Sequence, residues 1–235
     1  MTQQADYCET LVRDADKDRF LATLFAPAAS RPDLHTLYAF DLETAAVAHR
    51  VRDPVAGEIR LQWWHDALSS DDGVSSGHPV ADAMVELLRR NGIPGSIALD
   101  LVDARRRWLY ANEETTEAEF ELLASETAGA VIGMAARVLG GPLHEATRLA
   151  AHHAGVVVAA SQIAPDRGAF DARVLIDRHR AAARALIPNL PDAVLPAFLP
   201  LALAVDDRAS LPQWRKQWIL WRASGNLALG LGQNA

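Results

Sequence analysis

Leu37–Val51 reads LYAFDLETAAVAHRV, and the reading of this stretch decides the class of fold. Leu42, Ala45, Ala46 and His49 follow one another at spacings of three and four, so a helix places them on one face. No alternation of apolar and polar residues competes with that period. The face is mainly apolar. Glu43 stands about 200° around the helix from Ala45, which turns it away from that face and toward a partner such as Arg50.

The same period recurs on both sides of this stretch. Breaks fall at Pro27, Arg31-Pro32, Asp53-Pro54, the loop SSDDGVSSGHP, Asn91-Gly92, Gly140-Gly141-Pro142, Pro165, Pro188 to Pro191 and Leu211-Pro212. About eight to ten helices fit between these breaks, with no run of β-branched alternation among them. The expectation is an all-α, single-domain helical bundle over residues 1–235. The segment TTEAEFELLASETAGAVIGMAARVLGG opens on a Thr–Glu pattern that suits a capping box and ends on paired glycines. Its small residues let a neighbouring helix approach closely.

Composition narrows the function classes. The 235 residues are 50% apolar and 23% charged, with a net charge of −7, which suits one substantial core and opposes general nucleic-acid binding. Cys8 is the single cysteine, so neither an intrachain disulfide nor a cysteine zinc cluster can form, as expected in a reducing compartment. The start, MTQQADYCETLVRDADKDRF, lacks the apolar core of a signal peptide, and no run approaches the roughly 18 apolar residues of a membrane span. The expectation is a cytoplasmic protein, with peripheral contact at the inner face of a membrane left open.

Four stretches, taken in order, carry a resemblance: Tyr38-Ala39-Phe40, EIRLQWWHDAL from Glu58, TAGAVIGMAARVLGG from Thr127, and AGVVVAASQIAPDRGAFDARVLI from Ala154. Together they resemble the squalene/phytoene synthase family, whose enzymes join two prenyl diphosphates head to head. The resemblance runs from about Arg19 to at least Pro191, and it implies an isoprenoid-synthase-like bundle with a central cavity. In that family, aspartates on facing helices hold magnesium, which neutralises the departing diphosphate. Carried over position by position, the first set of acids falls on Ala45, Ala46 and His49. In the second set one acid falls on Asp166 and the other on Phe170, and the family's tyrosine falls on Leu123. Arg173 matches an arginine of the family pattern.

Three separate losses imply a non-catalytic protein with no cofactor. They resemble a branch of the family tied to assembly of respiratory complex I. The implied partners are an apolar or isoprenoid-like small molecule or a respiratory-complex protein. The candidate cavity residues are Tyr38, Phe40, Leu42, Ala45, His49, Trp64, Gly129, Val158, Gln162, Asp166 and Arg173, although Trp64 shares a stripe with Leu61 and Leu68 that suits core packing. Two alternatives stay open: an active prenyltransferase with an unusual magnesium site, and a purely structural helical module.

Other chemistry is weakly signalled. His152-His153 are adjacent, which directs them to different helix faces, and no zinc-ligand spacing accompanies them. The run ARRRW, Ala104 to Trp108, spreads its arginines around a helix and reads as a solvated face with acidic neighbours. In LPQWRKQWILWRASG, from Leu211, the residues Trp214, Trp218 and Trp221 form one stripe. The expectation is that they seal the bundle as core, the alternative being a peripheral membrane contact flanked by Arg215 and Arg222.

Overall fold

Helix α3, Arg31–Arg50, is the element around which the chain is arranged in this computed structural model, which describes residues 3–51, 53–69, 75–112, 114–163, 169–204 and 211–225. Every residue from Asp33 to Asp41 is buried, because neighbours lie on all sides: α1 (Gln3–Ala15), α4 (Pro54–Ser69), α5 (Pro79–Arg90), α6 (Gly95–Trp108) and α8 (Ala130–Gly140). A helix enclosed all round has little to gain from amphipathicity, and the nine consecutive buried residues from Asp33 to Asp41 cover its whole circumference. The second half of α3 opens, and Leu42, Ala45 and Ala46 are half-buried.

The remaining helices are α2 (Lys17–Thr23), α7 (Glu117–Ala124), α9 (Glu145–Ala160), α10 (Ala172–Leu186) and α11 (Gln213–Gly225), with a 3-10 segment at Asp192–Leu203. The described residues thus form an all-α fold of eleven helices, more than the eight to ten expected. One unforeseen boundary lies at Asp16, whose side chain accepts from the Arg19 N–H at 2.9 Å and starts α2 afresh.

Helix α7 opens on the expected capping box, Thr116 with Glu119. A π-helical turn, Ser125–Gly129, joins it without interruption to α8. The resulting 24-residue helix, Glu117–Gly140, is long and apolar enough by composition to cross a membrane. That corrects the expectation that no run approaches a membrane span: polar residues interrupt the stretch between the Thr–Glu start and the paired glycines, yet an 18-residue window of it is apolar on average. Its apolar window is 61% buried inside the bundle against α3, α9 and the 3-10 segment, which is how a core helix behaves.

Glycine decides the closest approach. A Cβ on Gly155 of α9 would lie 2.2 Å from the Gly129 nitrogen, so the backbones of α9 and the π turn touch. Gly129 therefore serves helix packing, and the contact brings the residues beside it, Ser125 and His152, into reach of one another.

Candidate functional site

On α3, Tyr38 and Phe40 are core residues. Phe40 meets Trp64 edge to face at 5.5 Å, and Trp64 is buried beside Leu61 and Leu68 as its stripe implied. The Arg19 guanidinium lies 5.0 Å from the centre of the Tyr38 ring, and burial pushes the Tyr38 hydroxyl up to about 12. Next to Phe40, Asp41 is buried with both oxygens occupied: Arg19 Nη1 donates to Oδ2 at 2.6 Å and Arg105 Nη2 to Oδ1. Burial alone would raise this carboxyl, but Arg105 and Arg19 outweigh it and hold the carboxyl below its ordinary range. Glu43 turns away and meets Arg50 at 3.5 Å, as expected. The side chain of His49 lies outside the described residues.

The ARRRW run spreads around α6 as expected. Arg106 meets Asp103 and Arg107 meets Glu126 at the surface. Arg105 departs from the solvated reading, since it turns inward to Asp41. A groove of about 700 Å³ between α6 and the π turn is lined by Asp100, Asp103, Arg106, Arg107 and Glu126 with a few apolar neighbours, which makes it a charged, open surface.

At the positions of the second motif, Val158 is half-buried on α9, Gln162 is exposed just beyond its end, and Arg173 is exposed in the first turn of α10. Asp166 lies outside the described residues. Leu123 is buried. Phe170 packs against Phe120 at 5.1 Å, and Phe120 meets Trp108 edge-on at 5.5 Å, so an aromatic cluster stands where the resemblance places a carboxylate.

A different group of side chains converges on α9 and α10. The rings of His152, His153 and His179 lie 4.9 to 5.5 Å apart, centre to centre. His152 and His153 are only 100° apart on their helix, and His179 lies where both can turn toward it, which corrects the expectation that they face different ways. His153 Nδ1 is 3.0 Å from His179 Nδ1, His179 Nε2 is 3.1 Å from Glu121 Oε1, and His152 Nδ1 is 2.8 Å from Ser125 Oγ. Burial and the neighbouring imidazoles lower His153 to about 4 and lower His152 as well, against the opposing charge of Glu121.

The squalene/phytoene synthase family model matches residues 12–169 of this chain. The chain belongs to the squalene/phytoene synthase family. Among curated relatives, the NADH dehydrogenase (ubiquinone) complex I, assembly factor 6 of Bos taurus is 28% identical over 137 residues, 57% of this chain and 40% of the relative. That of Homo sapiens is 27% identical over 135 residues, with the same shares. The match therefore spans less than half the length of these relatives. A dehydrosqualene synthase crystallised with ligand superposes with a TM-score of 0.73 at 14% identity, covering 96% of each chain. The squalene synthase HpnC from Alicyclobacillus acidocaldarius gives 0.57 at 15% identity, covering 97% of this chain and 92% of that one. Both establish the fold.

Within the squalene/phytoene synthase family the cluster that matters is magnesium held by carboxylates, and magnesium demands oxygen ligands. On the α3 face Ala45 and Ala46 offer none, and both oxygens of Asp41 are held by arginine. The described residues of this face do not fit a magnesium cluster.

Proposed function

We propose that this chain keeps the squalene/phytoene synthase fold without the condensation chemistry and acts as a binding protein in the assembly of a respiratory complex. One observation carries the reading: the acid beside the Tyr-Ala-Phe triplet, Asp41, is locked between Arg19 and Arg105, and the positions that follow it on the face are Ala45 and Ala46. A diphosphate leaving group would meet no metal there. The assembly role is supported by the complex I assembly factors among its relatives. Burial of Tyr38, Phe40 and Trp64 in the packed core favours a protein partner over an apolar or isoprenoid-like ligand.

The protein works at the inner face of a membrane, and α11 is the element that meets it. Its three indoles face outward, with Arg222 stacked 4.7 Å from Trp218 and Arg215 5.1 Å from Trp214. On a chain of net charge −7, this local pairing of indole and guanidinium complements an anionic headgroup layer.

The purified protein, incubated with labelled farnesyl or geranylgeranyl diphosphate and magnesium, is expected to release no diphosphate. Formation of squalene, phytoene or their cyclopropyl precursor would overturn the proposal. Capture from native membranes is expected to recover subunits of the NADH dehydrogenase complex, and their absence would remove the assembly role.

A further inference from the structure

We propose that His152, His153 and His179 form a binding site for one divalent transition-metal ion of the zinc class, clamping α9 to α10. One ring nitrogen from each lies within 4.8 Å of the others. Three imidazoles on one tetrahedral zinc, with bonds of about 2.0–2.1 Å, place their nitrogens about 3.3 Å apart. His153 Nδ1 and His179 Nδ1, at 3.0 Å, are already near that spacing, and rotation about side-chain bonds brings in the third ring. Oxygen-seeking magnesium and calcium are poor matches to an all-imidazole set, whereas zinc, cobalt, nickel and copper accept it.

The surroundings assign a role to each ring nitrogen. His179 Nε2 faces the Glu121 carboxylate at 3.1 Å and so carries the proton, which leaves Nδ1 as a lone-pair donor. A carboxylate behind a ligating histidine fixes its tautomer and raises its basicity. His152 Nδ1–H donates to the Ser125 hydroxyl oxygen, which leaves Nε2 as its lone-pair donor. In the metal-free protein, His153 Nδ1–H donates to His179 Nδ1; on binding the ion His153 changes tautomer, a proton leaving Nδ1 and one being taken up at Nε2 by way of solvent, so that a neutral imidazole ligates through Nδ1. The ion then occupies the space between the two nitrogens.

The local charge favours a cation. Arg178 lies nearby, its Nη2 3.5 Å from His179 Nε2, but its guanidinium is paired with both Glu117 and Glu121 of α7. Those three groups sum to one negative charge. His152 and His153 are half-buried, so the ion would sit against the bundle with one side open to solvent. The site stands where the Gly129–Gly155 contact draws α9 against the π turn, so the backbone that positions Ser125 and His152 is fixed before any ion arrives.

The test uses the full chain, free of affinity tag and stripped with chelator. Titration with zinc followed by elemental analysis is expected to give one ion per chain and a rise in unfolding temperature that magnesium does not reproduce. Affinity should fall at least tenfold in His153→Asn and in His179→Asn. In Glu121→Gln it should fall about 10–100-fold with stoichiometry kept. A wild type that stays folded and binds no zinc would overturn the proposal, as would both histidine variants binding as tightly as wild type. Should a variant fail to fold, X-ray absorption of the zinc-loaded wild type decides: three imidazole ligands are expected, and fewer would refute the assignment.

Discussion

Asp41 shows how far a single buried carboxylate depends on its partners. Arg19 and Arg105 have low exposure, as Asp41 does, so the two bonds operate away from the screening that reduces surface pairs. Removing the charge leaves Arg105 facing a neutral amide, with Arg19 still paired to Asp16. Asp41→Asn is therefore expected to cost about 3–5 kcal/mol, as breaking a buried pair does, read from the denaturant midpoint. Arg148→Ala, which breaks the exposed pair with Glu145, should cost less than about 1 kcal/mol. The pH dependence has a definite sign. Because the folded carboxyl lies below its unfolded value, acid protonates the unfolded chain first. The contribution is whole above about pH 4 and is lost as pH falls through the folded value. The acid limb of stability should be shallower in Asp41→Asn, and an unchanged limb would show that another carboxylate governs it. Asp41 was legible as an acid near the Tyr-Ala-Phe triplet. Its occupation was not, since its partners stand 22 and 64 positions away and only folding makes them neighbours.

At the scale of the element, α11 reverses the reading of its own pattern. Trp214, Trp218 and Trp221 were expected in the core, yet they are 64%, 52% and 66% exposed, and the buried residues are Lys216, Leu220 and Ala223. The two stripes have the same spacing, offset by two residues, which on a helix is about 200°. The inward stripe won because it fits its neighbours: Leu220 and Ala223 are compact enough to pack beside the 3-10 segment, and Lys216 Nζ reaches Asp18 of α2 at 2.8 Å. The periodicity was legible; which of two stripes faced inward was settled by the partner surface. Three indoles left outside on one helix make an apolar stripe of a kind that marks a contact surface. Trp218→Ala combined with Trp221→Ala should leave stability within about 0.5 kcal/mol of wild type, as surface changes do. It should abolish flotation with anionic liposomes, and wild-type binding should weaken as salt rises. A wild type that stays off anionic vesicles would exclude this helix as the membrane contact.

The molecule as a whole explains why restoring one motif is not expected to restore the family's reaction. The positions that would carry it are spread over α3, the helix containing Leu123 and the segment around Phe170, and groups that act as a unit fail together. In Ala45→Asp with Ala46→Asp and His49→Asp, Phe170 still packs on Phe120 and Leu123 is still buried. Like charges gathered on one half-buried face without metal are costly. The expected outcome is a lower unfolding temperature and no condensation product from prenyl diphosphates with magnesium, and an active, stable triple variant would show that the rest of the site is intact.

Local physics settled the helical period of the chain, the capping box at Thr116, the core stripe of Leu61, Trp64 and Leu68, and the turn of Glu43 toward Arg50. Each of these depends on residues a few positions apart, within reach of one helix. Three further placements were made only by tertiary structure. Arg19 and Arg105 closed on Asp41, the tryptophan stripe was left outside, and His179 was brought between His152 and His153 across the contact of α9 with α10. The physical reason is common to all three: a side chain's role is fixed by which distant surface buries or pairs it, and a periodic pattern specifies a face without naming what that face will meet.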